Sequence, residues 1–156
     1  MIKDSGTRRE FDTGAVRDCP EGKGRCDLMP LDVVAEVADD EIMEDISSYV
    51  DTGVDMFLKN ALERFARVYD SIYDMMLDVS IHFEEGAKKY GEYNWQKGIP
   101  ESSYIDSAVR HYLKFRAGMD DERHDRAFVW NILCLMWQHR QNRKENVSPG
   151  KINKFE

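Results

Sequence analysis

Between Val54 and Val79 apolar side chains recur every third or fourth residue: Val54, Phe57, Leu58, Ala61, Phe65, Val68, Ile72, Met75, Met76 and Val79. That spacing sets them along one helix face and predicts one long helix over about 51–85, or two joined near Asp70. Upstream, Pro30 suits the first position of a helix carrying Leu31, Val33, Val34 and Val37, which Asp39-Asp40-Glu41 ends or interrupts. A further segment runs through Ile42 and Ile46. Downstream, Gly91, Asn94, Gly98 and Pro100 predict a loop over 88–100. Ser102 or Ser103 can cap a helix over about 104–117 that stops at Gly118. Asp120, Asp121 and Glu122 favour the start of a last helix, reaching about Arg140, because acids suit a helix N-terminus. No run alternates with period two. The expected fold is all-α: a bundle of four or five helices, with a polar arm over 1–30, a helical domain over 31–140 and a polar tail over 141–156.

At 156 residues the chain is long enough for one domain with a core. Its net charge of −8 argues against a nucleic-acid polymer as partner, yet leaves room for a small phosphate ligand held by a local cationic cluster. The three cysteines are an odd number. Cys134 lies in the apolar run Ile132–Met136 and is expected in the core, whereas Cys19 and Cys26 lack the further ligands and spacing of a zinc site. That usage fits a reduced compartment. The opening residues lack the apolar core of a signal peptide, and no run is long enough to span a bilayer. The expected setting is the cytoplasm, without a membrane partner.

Candidate chemistry falls in three places. In the arm, Arg17, Lys23 and Arg25 lie among Gly14, Gly22 and Gly24, a composition suited to an anion but equally to a solvated tail. The 88–100 loop carries Lys88, Lys89, Tyr90 and Trp95, where aromatic rings can stack a base and cations can hold phosphate; the alternative is that the rings cover the core edge. Third, Asp106, Arg110 and Lys114 share one helix face with His111 beside them, and Asp121, His124, Asp125 and Asn131 cluster on the next helix with Glu122 at the edge. The short connection predicts antiparallel packing with the two polar stripes facing each other. Carboxylates so placed can gather Mg2+, with Mn2+ as the alternative, while Arg110 and Lys114 neutralise phosphate. The competing reading is a buried ion-pair network. Asn131, inside an apolar run, needs hydrogen-bond partners in either case. The Asp70, Asp74, Asp78, His82 stripe is expected to be a solvated face.

The strings GAKKYGEYNWQKGIP and SYIDSAVRHYLKFRAGMDDERHDRAFVWNILCLM closely resemble the phage and prophage domain family named dATP/dGTP diphosphohydrolase, N-terminal. TGAVRD and GKGRCDLMPLDVVAE resemble that family's opening, while 39–78 matches less and is expected to be an insertion. The resemblance implies hydrolysis of a purine deoxynucleoside triphosphate to monophosphate and pyrophosphate, in the host cytoplasm if the chain is phage-encoded. It also suggests kinship with MazG-like all-α pyrophosphohydrolases, whose ExxE and ExxD motifs hold Mg2+. Glu122-Arg123-His124-Asp125 fits ExxD; no ExxE precedes it, and Asp106 is the nearest substitute. On this reading Asp106, Glu122 and Asp125 are catalytic and, with Asp121, hold metal. Arg17, Lys23, Arg25, Lys88, Lys89, Tyr90, Trp95, Arg110, His111, Lys114, His124 and Asn131 bind the nucleotide. Two alternatives stay open: a non-catalytic protein that sequesters a host signalling nucleotide, favoured by the missing ExxE, and a helical interaction protein. Tyr73, Met75 and Met76 exceed the apolar needs of one small bundle, so a homo-oligomer, dimer or higher, is expected, as the MazG-like kinship also suggests.

Overall fold

A computed structural model describes residues 6–146. The fold is all-α, with six helices and one small hairpin: β1 (Arg8–Glu10), β2 (Val16–Asp18), α1 (Leu31–Ala38), α2 (Glu41–Thr52), α3 (Met56–Phe65), α4 (Ile72–Tyr90), α5 (Glu101–Arg116) and α6 (His124–Asn146). No helix among the described residues is long and apolar enough to cross a membrane.

Local chemistry sets the boundaries. Asp39, with φ of 51°, turns the chain out of α1, and the Asp40 carboxylate caps α2 by accepting the Met43 N–H at 3.0 Å. Gly53, at φ 69°, ends α2, so the apolar face from Val54 onward starts afresh. The break expected near Asp70 occurs: a 3-10 turn over Ala66–Val68 follows α3, and Ser71 caps α4 by accepting the Asp74 N–H. The region therefore holds two helices rather than one.

Three boundaries differ from expectation. α4 continues to Tyr90, so Lys88 and Lys89 are helical, and the loop begins at Gly91 with φ of 94°. α5 begins at Glu101 with Pro100 at its cap, and Ser102 and Ser103 lie inside its first turn. α6 starts only at His124, after the acidic turn, and runs to Asn146 because polarity alone does not stop a helix. The rest of the expected tail, 147–156, lies outside the described residues.

α5 packs antiparallel on α6: His111 meets His124, Ser107 and Asn131 share the Arg17 guanidinium, and Glu101 meets His139. Phe65 is the aromatic hub of the core, with ring centroids 4.8 Å from Phe128, 5.2 Å from Phe115 and 6.1 Å from Tyr112. Cys134 is buried there as expected, and all three thiols are free. Met75 also enters the core, while Tyr73, Leu77 and Ile81 stay exposed along one face of α4.

Most of the arm is tied down. β1 and β2 pair antiparallel, with Arg9 opposite Arg17. Asn94 stands in for a third strand: its Oδ1 accepts the Val16 N–H and its Nδ2 donates to the Val16 carbonyl, both at 2.8 Å. Asp18 accepts from Lys89 at 2.9 Å and from the Tyr90 hydroxyl at 2.7 Å. Beyond the hairpin, the Cys26 N–H donates to Asp106 Oδ1 at 2.7 Å, and Arg110 Nη2 donates to the Gly24 carbonyl at 2.7 Å.

Candidate functional site

Clamping the arm onto the bundle encloses a cleft of about 460 Å³, within the size range of small-molecule sites. Its walls are β2, residues 20–27, the C-terminal half of α4, α5 and the first turns of α6. Of the residues expected to bind a nucleotide, Arg17, Lys23, Arg25, Tyr90, Arg110, His111, Lys114 and Asn131 line it.

Arg17 is the central feature. Its Nη2 donates to Ser107 Oγ and to Asn131 Oδ1, both at 3.1 Å. The guanidinium carbon lies 5.2 Å from the Tyr104 ring centroid and 5.7 Å from that of Trp130. Nη1 is shielded from solvent and has no partner. Burial disfavours the charge and pulls the Arg17 pKa below its usual value, against attraction from neighbouring groups. A buried, positively charged donor with no acceptor costs free energy that an anionic ligand would recover. Trp130, on the cleft wall, repeats the pattern with an unpartnered, buried Nε1. Asn131 explains itself here: Nδ2 donates to the Ala127 carbonyl at 2.9 Å while Oδ1 orients Arg17.

Other expected site residues have structural partners. Both Asp106 oxygens are engaged, Oδ1 by the Cys26 N–H and Oδ2 by Arg110 Nη2 at 2.6 Å. Arg110 spends its donors on Asp106 and on the carbonyls of Lys23 and Gly24. Arg25 pairs with Asp27 at 2.8 Å. Lys88 is exposed beside Glu84, and Lys89 faces Asp18. Trp95 packs edge-on against Phe83 and Trp137 and covers the core edge. Asp125 bonds to Arg123 and accepts from the Tyr69 hydroxyl, in a group with Asp78 and Arg126. The stripe expected to be solvated therefore divides: Asp70 and Asp74 are exposed, but Asp78 pairs with Arg126 at 2.7 Å and His82 enters the cleft.

His82 was not among the expected site residues, and neither was Trp130. Their signals were faint: the last position of an acidic stripe, and an aromatic beside the out-of-place Asn131. Burial, and then the charges of Arg126, Arg17 and Lys89, push the His82 pKa down to about 4. An unfolded chain binds this proton near pH 6.5, whereas the folded one refuses it until about pH 4. The stability tied to neutral His82 is therefore intact above pH 6.5 and drains away as pH falls from 6.5 to 4, by up to about 3 kcal/mol. His82→Gln should show a shallower acid limb in urea melts across that window. A limb as steep as the parent's would remove His82 from the account.

At one end of the cleft α5, the turn before α6 and the first residue of α6 bring three donor groups together. His111 Nδ1 lies 2.9 Å from His124 Nδ1, and His124 Nε2 lies 2.7 Å from Asp121 Oδ1. Glu122 completes a cluster with the two rings, all donor atoms within 4.8 Å of one another. Burial, and then His124 and His82, hold the His111 pKa well below its usual value, so its ring is neutral at neutral pH. Among the described residues this is the one cluster of three or more such donors. The four carboxylates expected to hold Mg2+ do not converge. Asp106 is consumed by Arg110 and the Cys26 N–H, and Asp125 faces Arg123 and Tyr69. That set does not fit an Mg2+ ion, which needs several oxygen ligands around one centre.

The structure defines a helical domain with a partly cationic cleft, into which an arginine brings one buried, unpartnered N–H group. The chain belongs to the family described as dATP/dGTP diphosphohydrolase, N-terminal, whose profile matches residues 54–148. The match takes in 54–78, which is thus not an insertion, whereas the arm that supplies Arg17 lies outside the matched span. No curated protein and no solved structure matches the chain.

Proposed function

We propose that the cleft binds a purine deoxynucleoside triphosphate and that the chain hydrolyses it to the monophosphate and pyrophosphate. The observation that carries this reading is the unpartnered Arg17 Nη1 inside a cleft of a chain from this family. Arg17 donates to a phosphate oxygen, and Lys23 and Lys114 add positive charge along the walls. Tyr90 or Trp130 offers a ring face for the base. A second reading, sequestration without turnover, is favoured by the engagement of Asp106 and Asp125 away from any common metal position. The two readings part on products. Incubation with dATP and dGTP, followed by phosphorus NMR, should show pyrophosphate and monophosphate in equal amounts. Intact nucleotide recovered from the denatured protein favours sequestration, and neither product nor bound nucleotide removes both readings.

The proposal extends to self-association. Tyr73, Leu77 and Ile81 are 78%, 69% and 41% exposed on one α4 face, a stripe of the kind that marks interfaces. Sedimentation should give a multiple of the 18.2 kDa chain mass. A single-chain mass at micromolar concentration would oppose it.

A further inference from the structure

The His111, Glu122, His124 cluster adds to a hydrogen-bonded histidine pair a nearby carboxylate and an orienting Asp121. His124 is 2% exposed and is held from behind by Asp121, whose Oδ1 is 2.7 Å from Nε2. A carboxylate there fixes the tautomer: Nε2 carries the proton, and Nδ1 presents its lone pair to the cluster. His111 aims its own Nδ1 at the same spot from the neighbouring helix, 2.9 Å away. Two nitrogens ligating one ion at about 2.0–2.1 Å are about 2.9 Å apart when they subtend a right angle, as adjacent positions of an octahedron do. Glu122 supplies a carboxylate oxygen within 4.8 Å of both nitrogens. Glu122 and His111 also line the cleft, so remaining coordination positions would open toward its ligand.

We propose that His111, His124 and Glu122 bind one first-row transition-metal ion of the Mn2+ to Zn2+ series, with Asp121 orienting the His124 ring. Two imidazoles and one carboxylate suit that series and disfavour Mg2+, which selects oxygen. The ion takes the place of the proton between the two Nδ1 atoms. His111 moves that proton to its Nε2, so ligation leaves both rings neutral. The site needs only these side chains and stands whether or not the cleft turns over nucleotide.

The test uses the full chain, stripped with a chelator and titrated with Co2+, Zn2+ and Mg2+. Calorimetry and the visible absorption of Co2+ give the readout. The expected result is one Co2+ or Zn2+ per chain, a Co2+ absorption band, and no displacement by millimolar Mg2+. His111→Gln and Glu122→Gln change groups that are only partly buried and should keep the helical circular dichroism. Each should weaken binding at least about tenfold, and Asp121→Asn by about 10- to 100-fold. The His111→Gln band should be lost or shifted. Failure to bind either ion, or equal binding by parent and His111→Gln, would overturn the site and leave a histidine pair only.

Discussion

Arg17→Ala is expected to weaken binding of a purine nucleoside triphosphate more than tenfold while the helical content is kept. The guanidinium reaches the cleft from the hairpin, not from the helical core, and one of its terminal nitrogens has no acceptor. A charge-assisted bond to a ligand phosphate contributes about 1.5–3 kcal/mol, which corresponds to more than a factor of ten in affinity. Removing the side chain also relieves the burial of a charge, so the fold loses little beyond the contacts with Ser107, Asn131 and the two rings. Arg17→Lys keeps charge but not the fork geometry, and should recover only part of the affinity. Asn131→Leu should act on both levels: it removes the acceptor that aims Arg17, and it leaves Arg17 Nη2 with one acceptor fewer. Calorimetry for binding and urea melts for stability, on the same samples, separate the two. Parent-like affinity in Arg17→Ala would place the ligand elsewhere.

Asp106→Ala should be the most destabilising of the site substitutions, at about 3–5 kcal/mol. It strands the Arg110 guanidinium, 8% exposed, without its carboxylate, and removes the acceptor of the Cys26 N–H. For a chain of this size such a loss lowers the melting temperature by roughly 10 °C. Asp106→Asn retains an oxygen for one of these donors and should cost less. A metal-ligand role predicts the opposite pattern, lost turnover with unchanged melting. Thermal melts of the two variants beside the parent decide it, and a melting temperature within a degree or two of the parent for Asp106→Ala would contradict the clamp.

The helices were legible because their signals are local. The Leu58, Ala61, Phe65 spacing lies within the helix it builds, whereas the Gly53 stop and the Asp40 and Ser71 caps, though equally local, went unread, so helix was expected to run through position 53. The hairpin was not, because its three-residue strands, Arg-Arg-Glu and Val-Arg-Asp, carry no alternation. They are held in place by Asn94, Lys89 and Tyr90, some seventy to eighty residues away. At the site, the cleft gathers many of the expected side chains, but their hydrogen-bond partners were not legible. Asp106 and Arg110 do share a face, but the face meets backbone groups of the 23–26 segment, which no spacing rule reveals. Asp121, Glu122, His124 and Asp125 were assigned one side on helical periodicity. The helix begins only at His124, so the first two obey the geometry of a turn. Asp125, one residue beyond His124, is rotated toward Tyr69 and the neighbouring Asp78 group. The donors that did converge, His111 with Glu122 and His124, do so because α5 and α6 cross at that height, a tertiary fact.

The central claim, that this cleft holds a purine nucleoside triphosphate through Arg17, is tested most directly by calorimetric titration with the α,β-methylene analogues of dATP and dGTP, which cannot be cleaved at that bond. Saturable binding of one analogue per chain, weakened more than tenfold in Arg17→Ala but kept in the surface variant Lys88→Ala, is the predicted result. No binding of either analogue, or equal binding by the parent and Arg17→Ala, would contradict it.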